Sequence, residues 1–266
     1  MQDYGLVSII TPTWACASFI CETIRSVMAQ TYQNWELLIQ DDCSTDGTDK
    51  VVQPYIEMDS RIKYECNPKN SGAAITRNNA LRRAKGRWIA FLDSDDLWLP
   101  EKLEKQLKFM VENNYAFTYH NSIDINELGE EIGRFVTGPK KVGKISIYNY
   151  DWIGCLTAIY DSSVVGLVQI EDIKKNNDYA MWLKVCQITP CLLLNETLAK
   201  YRIRWGSISR HSKTSLIIWH YRLFRESEHQ NCLLSIFNTA RNLFFGVIKK
   251  ILSLIHISEP TRLQLI

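Results

Sequence analysis

The chain has 266 residues, 46% of them hydrophobic and 23% charged, enough for one large domain with a substantial core and a small appendage. Its formal net charge of +2, from basic residues scattered rather than gathered in a block, argues against a nucleic-acid partner. No uninterrupted apolar run reaches about 18 residues, so no segment is expected to span a membrane.

Eight cysteines (Cys16, Cys21, Cys43, Cys66, Cys155, Cys186, Cys191 and Cys232) contain no C-x-x-C pair, and several sit in apolar runs. Neither a zinc site nor a disulfide framework is expected, and a reducing cytosol is the simplest location. Met1 leads directly into a predicted strand, without a charged leader.

Leu6 to Ile10 reads as a buried strand ending at Thr11-Pro12-Thr13, and Phe19 to Gln30 follows with helical periodicity. Trp35 to Gln40 is a second strand, stopped by the polar cluster Asp41 to Thr48. Arg61 to Glu65 is a third strand, Gly72 to Ala84 a helix, and Arg87 to Leu92 a fourth strand that delivers Asp93. This alternation predicts an open, mainly parallel α/β sheet, with ligands expected at the carboxyl ends of the strands. Glu101 to Asn113 is an amphipathic helix and Ala116 to His120 a strand. Ile123 to Lys144, rich in glycine, reads as a hairpin or mobile loop. Leu156 to Tyr160, Cys191 to Leu194 and Leu198 to Tyr201 read as strands, and Asp178 to Cys186 as a helix. Ser215 to Leu254 is helical. Its part from Ile236 to Ile255 mixes Phe, Leu and Ile with Arg241, Lys249 and Lys250, which fits either a basic helix lying in a membrane interface or a terminal helix packed on the domain. His256 to Ile266 has no periodicity and resembles translated adapter sequence. The expected organisation is a domain over 1–212, with a nucleotide-binding half (1–100) and an acceptor half (101–212), then a helical extension (213–255) and a non-native tail (256–266).

Three polar clusters fall at predicted strand ends. Asp93-Ser94-Asp95-Asp96 places three carboxylates in four residues, which repel unless a cation sits among them. Mg²⁺ or Mn²⁺ favours such oxygens together with substrate phosphates. The same run would also serve as a helix N-cap ahead of Glu101. In Asp41-Asp42-Cys43-Ser44-Thr45-Asp46-Gly47-Thr48, the Ser44–Thr48 part reads as a turn with a helix cap, leaving Asp42 as the functional candidate. In Asn70-Ser71-Gly72-Ala73-Ala74-Ile75-Thr76-Arg77-Asn78, small residues around Gly72 allow close backbone approach at a helix start, a place suited to phosphate. Arg77 would either reach an anionic donor or lie solvated on the surface.

Taken in order with Thr11-Pro12-Thr13 and Phe91-Leu92, these clusters resemble the family 2 inverting glycosyltransferases of the GT-A fold, over roughly residues 5 to 210. The strings Asn70-Ser71-Gly72-Ala73-Ala74 and Ile153-Gly154-Cys155-Leu156-Thr157 look like bacterial members of teichuronic acid or other surface-polysaccharide synthesis. The resemblance implies a GT-A sheet flanked by helices, a UDP-sugar donor, a saccharide or lipid-linked saccharide acceptor, and Mn²⁺ or Mg²⁺. It implies that Pro12, Thr13, Asp42, Gly72, Arg77, Asp93 and Ser94 hold the donor, that Asp42 accepts from the uracil, and that Asp95 is the main metal ligand. The family's general base precedes a helix carrying Trp-Leu. Asn177-Asp178-Tyr179-Ala180-Met181-Trp182-Leu183 fits that spacing, so Asp178 is the expected base, with Asn where the family commonly has Glu. Glu171-Asp172 imitates the pair but lacks Trp-Leu at the right distance. Gly154, Cys155 and Trp182 are expected on the acceptor side. Arg202 and Ser207 are expected in a closing loop over the diphosphate, with Trp205 to His211 excluding water. The enzyme would work in the cytoplasm, either free or on the inner face of the cell membrane through its C-terminal helix.

Two other classes share parts of this pattern. A nucleotide-sugar-binding protein without catalysis would keep the donor residues. A nucleotidyltransferase would show a Gly-rich triphosphate loop with a basic residue near the N-terminus, which Thr11 to Ser18 lacks. No G-x-G-x-x-G follows the first strand, which argues against an oxidoreductase.

Overall fold

A computed structural model describes residues 2–204 and 213–257. The first half alternates β1 (Val7–Thr13), α1 (Ile20–Met28), β2 (Trp35–Asp41), α2 (Thr48–Met58), β3 (Ile62–Cys66), α3 (Ala73–Arg83) and β4 (Trp88–Phe91). A short β5 (Leu97–Trp98) and α4 (Lys102–Asn113) lead to β6 (Phe117–Ile125), β7 (Glu131–Val136) and β8 (Lys141–Val142). Next come β9 (Ile159–Asp161), α5 (Ser162–Val165), α6 (Asn177–Ile188), β10 (Cys191–Arg202), α7 (Lys213–Arg222) and α8 (Cys232–Ile257).

Among the described residues one mixed sheet holds all ten strands, with the order β3-β2-β1-β4-β9-β6-β10-β5 along its main path. β3, β2, β1 and β4 are parallel; β9 is antiparallel to β4 and β6, while β10 runs parallel to β6. β1 and β2 are buried along nearly their whole length because helices cover both faces of a parallel sheet. The pleat sorts neighbours to opposite faces. Ile9 and Leu37 join Ile24, Val52 and Leu103 in one core, while Ile10 and Leu38 join Ala80, Leu81, Phe91 and Trp182 in the other.

The expected α/β class and its GT-A arrangement match this sheet. Several boundaries differ. α2 has no counterpart among the expected elements: Pro54 interrupts its interior, and only Thr48 and Val52 are buried, so its periodicity is thin. The two expected strands at 191–194 and 198–201 are one strand, β10, broken only by register shifts near Thr197. Leu156 to Tyr160 begins as a 3-10 turn (Cys155–Thr157), and only Ile159–Asp161 pairs as strand. The helical tail divides at a π-helical turn (Leu223–Ser227) into α7 and α8. The expected tail reaches the described residues only at His256 and Ile257, which are still in α8; residues 258–266 lie outside them.

Candidate active site

The carboxyl ends of β1, β2 and β4 converge, and three side-chain clusters are built there. The first is organised by Asp42, just past β2. Its Oδ1 accepts from Ser71 N (2.7 Å) and Asn67 Nδ2 (2.9 Å), and its Oδ2 from Gly72 N (2.8 Å). One buried carboxylate thus fixes the loop entering α3, where Gly72 sits at φ +86° and ψ 160°, a conformation essentially reserved for glycine. With three bonds accepted, Asp42 keeps room for a further donor.

The rest of the Asp41–Thr48 run braces the β1–α1 loop. Three successive backbone N–H groups, at Ala15, Cys16 and Ala17, donate to Ser44 Oγ (2.8 Å), Thr48 Oγ1 (3.2 Å) and Asp46 Oδ2 (2.9 Å). Asp41 is buried and accepts from Ser44 and Tyr64. The structural reading of Ser44 to Thr48 therefore agrees with these bonds. Pro12 pairs in register with Gln40, and Thr13, buried with no partner on Oγ1, opposes Asp41. Trp14 follows and is 56% exposed, an aromatic face held out beside the Asp42 cluster.

The second cluster lies where α3 meets α6. Arg77 is buried, not solvated, and its Nη2 donates to Asp93 Oδ1 (2.9 Å) and contacts Cys155 Sγ (3.4 Å). Its Nε and Nη1 are buried without a partner among the described residues. Asp178, in the first turn of α6, is partly buried and accepts from Tyr179 N (2.9 Å). Burial pushes the Asp178 carboxyl above the usual carboxylate range; the Arg77 charge opposes this and Asp93 adds to it. Asp151 joins the group: burial pushes it well up, the Asp178 charge pushes the same way, and Lys249 opposes. Burial also raises the Cys155 thiol, which keeps it protonated. Gly154 starts the turn that positions Cys155, its carbonyl accepting from Thr157 N (2.9 Å).

The third cluster is Asp93-Ser94-Asp95-Asp96 with the end of β10. Ser94 is buried, and its carbonyl accepts from Thr23 Oγ1 (3.0 Å). Arg204 forms a 2.7 Å ion pair with Asp95. Burial raises the Asp95 carboxyl, Arg204 opposing and Asp93 reinforcing. Asp96 is wholly enclosed: Oδ1 accepts from Arg202 N (2.8 Å), Oδ2 has no partner among the described residues, and burial then Asp95 and Asp93 raise it strongly. Asp96 is thus a structural anchor, and Asp93 and Asp95 face the site.

Two expected roles are corrected by these contacts. Trp182 has no solvent exposure; it packs edge-on against Phe91 (5.1 Å between centroids) and beside Phe117 (5.4 Å), so it is core and cannot meet an acceptor. It lies one turn beyond Asp178 on a helix face that has already entered the core. Arg202 is buried and its side chain holds Asp95 O (2.8 Å), Glu127 O (2.8 Å) and Glu22 Oε2 (2.6 Å), so it ties three segments together rather than covering a ligand. Arg204 is the residue of that segment whose guanidinium pairs with the Asp95 carboxylate. Ser207 and the rest of Trp205 to His211 lie outside the described residues.

Asn67, Trp14, Asp151 and Arg204 are members of the site that the sequence pattern does not single out. Asp151 stands one residue before the Trp152–Thr157 stretch, and Trp14 directly after Thr13; Arg204 lies in the expected closing segment without being picked out of it, and Asn67 carries no local signal.

An acidic run, a buried arginine and a glycine-set helix start thus gather at the carboxyl ends of the strands, where open α/β sheets bind their ligands. Residues 8–156 match the profile described as "Glycosyl transferase family 2", and the chain belongs to this family of glycosyltransferases. TuaG of Bacillus subtilis (strain 168), named for teichuronic acid biosynthesis, is 40% identical over 225 residues, 84% of this chain and 88% of that protein. The Escherichia coli UDP-Glc:alpha-D-GlcNAc-diphosphoundecaprenol beta-1,3-glucosyltransferase WfgD is 41% identical over 79% of this chain and 81% of its own. The S. aureus TarS 1–349 structure with UDP-GlcNAc superposes with a TM-score of 0.67, covering 89% of this chain and 71% of that one, at 21% identity. The Pyrobaculum calidifontis mannosyltransferase PcManGT, solved with GDP-Man and Mn²⁺, gives 0.60 over 96% of this chain and 81% of that one, at 16% identity. These two structures share the fold. Family membership separates the chain from the nucleotidyltransferase and oxidoreductase alternatives.

Proposed function

We propose that this enzyme moves a sugar from a UDP-sugar to a hydroxyl of a lipid-linked saccharide, with inversion, in cell-surface polysaccharide synthesis. The observation that carries the reading is the meeting of Asp178, Arg77 and Asp93 beside the Asp42–Gly72 loop, which supports a candidate base and a candidate donor cradle at the carboxyl end of the sheet. The E. coli relative's name supports both the UDP-linked donor and the diphosphate-lipid acceptor, and the Bacillus relative's name supports the polymer.

The uracil is read by the remaining capacity of Asp42 and stacked on Trp14, while Pro12 and Thr13 line its pocket. Gly72 N–H is already committed to Asp42, so it acts by setting the loop, and Asp93 meets the ribose and sugar. Mn²⁺ or Mg²⁺ fits the donor set, because the neighbouring carboxylates of Asp93 and Asp95, the latter raised by burial, can share a hard cation with a diphosphate. Asp95 would be its main ligand, in place of the Arg204 contact, and the ion would supply positive charge to the leaving diphosphate.

Asp178 takes the proton of the acceptor hydroxyl as that oxygen bonds to the anomeric carbon and the carbon–phosphate oxygen bond breaks, releasing UDP. Burial makes Asp178 a stronger base than a solvated carboxylate, and Arg77 keeps it ionised. Asp151, Gly154 and Cys155 bound the side from which the acceptor approaches. The test is a panel of UDP- and GDP-sugars with Mn²⁺ and a polyprenyl-diphosphate-linked saccharide, the product's anomeric configuration being read by NMR. An inverted product from a UDP-sugar is expected; a retained configuration, or turnover of GDP-sugars alone, would overturn the reading.

A further inference from the structure

α8 is inverted relative to a helix that packs an apolar face on its own domain. Among the described side chains of α8, Leu243, Phe245 and Ile248 are half-buried, and the fully buried ones are polar: Ser235, Asn238, Thr239 and Asn242. They are held by hydrogen bonds, among them Asn238 Nδ2 to Gln230 Oε1 (2.8 Å) and Asn242 Nδ2 to Tyr179 OH (2.8 Å). The side chains turned outward are apolar: Leu233 is 80% exposed, Phe237 60%, Phe244 62%, Val247 59% and Ile251 52%. At helical spacing these five fall in an arc of about 80° and form a stripe about 27 Å long. Arg241 and Lys250 flank the stripe on opposite sides, each roughly 80–100° from its centre. α8 contains no Asp or Glu.

On the Arg241 side a cavity of about 620 Å³ opens beside the helix. Lys141, Lys144 and Arg241 line it, no carboxylate lines it among the described residues, and the exposed Ile145 and Ile188 extend the apolar surface. We infer that α8 and this cavity are the docking surface for an anionic phospholipid bilayer. The helix lies flat, its stripe in the acyl boundary, with Arg241, Lys250, Lys141 and Lys144 against lipid phosphates. Among the described residues no helix is long and apolar enough to cross a membrane, and three cations in α8 favour lying in the interface over spanning it. A second copy is disfavoured as the occupant, since pairing two such stripes would bring Arg241 and Lys250 against one another with no α8 carboxylate between them.

The surface lies on the acceptor side of the site. Asn242 bonds the side chain of Tyr179, the residue after Asp178, and Lys249 sits 4.6 Å and 5.2 Å from the rings of Tyr150 and Trp152, facing Asp151. Docking would therefore bring the base within about one helix width, ~10 Å plus a tyrosine side chain, of the bilayer surface. The inference deepens the lipid-linked acceptor reading but is tested without donor or acceptor, so the two fail separately.

The experiment is flotation of the full chain with vesicles of phosphatidylcholine alone or mixed with phosphatidylglycerol. Co-flotation is expected with the anionic vesicles and is weakened by salt. Phe244→Glu with Val247→Glu should lower partitioning about 100-fold. Lys141→Glu with Lys144→Glu should lower it about tenfold or more. Both double variants should keep the wild-type Tm and UDP affinity, since the replaced side chains lie outside the donor site. Equal flotation of wild type and Phe244→Glu/Val247→Glu, or equal binding to neutral and anionic vesicles, would overturn the inference. So would a wild-type dimer by light scattering that the stripe variant converts to monomer.

Discussion

Replacing Asp42 by Asn keeps the side chain's shape and reverses half of its hydrogen-bond chemistry. All three of its partners are donors: Ser71 N and Asn67 Nδ2 on one oxygen, Gly72 N on the other. An amide presents one acceptor oxygen, so in its best orientation the NH₂ group meets the Gly72 N–H donor to donor. The lost charge-assisted bond is worth about 1.5–3 kcal/mol, and the two survivors weaken to neutral bonds worth ~0.5–1.5 kcal/mol each. A net destabilisation of about 2–4 kcal/mol follows, or a fall in Tm of roughly 5–15 °C for a chain of this size. Because that bond holds Gly72 at φ +86°, the start of α3 relaxes as well, and UDP affinity should fall at least about tenfold. Calorimetric unfolding and titration with UDP measure both. A variant whose Tm stays within about 2 °C and whose Kd for UDP is unchanged would refute the argument that Asp42 organises the donor loop.

Lys102 is fully buried at the start of α4, its ammonium has no hydrogen-bond partner among the described residues, and it lies 3.8 Å from the Trp98 ring centroid. Burial lowers its proton affinity well below the usual 10.5, so the unfolded chain binds more protons and wild-type stability should rise with pH up to that value. Lys102→Met should remove this slope and gain about 1–3 kcal/mol at pH 7, measured by denaturant unfolding across pH; a less stable variant would show that the ammonium is satisfied. Arg77→Met should shift the acid limb of kcat/KM to higher pH, because the Arg77 charge lowers the proton affinity of the raised Asp178 and the base works only when ionised. An acid limb that does not move would separate Asp178 from the pH-sensitive step.

The nucleotide-binding half is legible because its strands are short apolar runs buried on both faces and its polar residues gather at their ends. Asp42 and Asp93 follow β2 and β4, the two neighbours of β1, and Gly72 and Arg77 lie at the start of α3 and within it, so local order along the chain translates into proximity in space. Contacts set by distant segments are not legible. Asn67 supports Asp42 through a bond across 25 residues, and Arg202 reaches the carbonyl of Asp95 across 107. Nothing in Arg202-Ile203-Arg204 distinguishes the arginine that ties segments together from the one that pairs with Asp95. Trp182 misleads because spacing identifies a helix position but not how quickly that helix face enters the core. α8 leaves two readings open, since composition gives a basic amphipathic helix and only the fold decides that its polar face is the one packed inward.

Where the acceptor's proton goes is decided by comparing wild type and Asp178→Asn with the same UDP-sugar, acceptor and Mn²⁺, measuring UDP binding by titration and transfer by product formation. Asn keeps the volume of Asp178 and its acceptor for Tyr179 N, so donor affinity should stay within about twofold. Transfer should fall about 10²–10⁴-fold, the usual worth of a general base. Transfer near the wild-type rate in Asp178→Asn would contradict the assignment and move the proton to another carboxylate, such as Asp151, whose proton affinity the Asp178 charge raises.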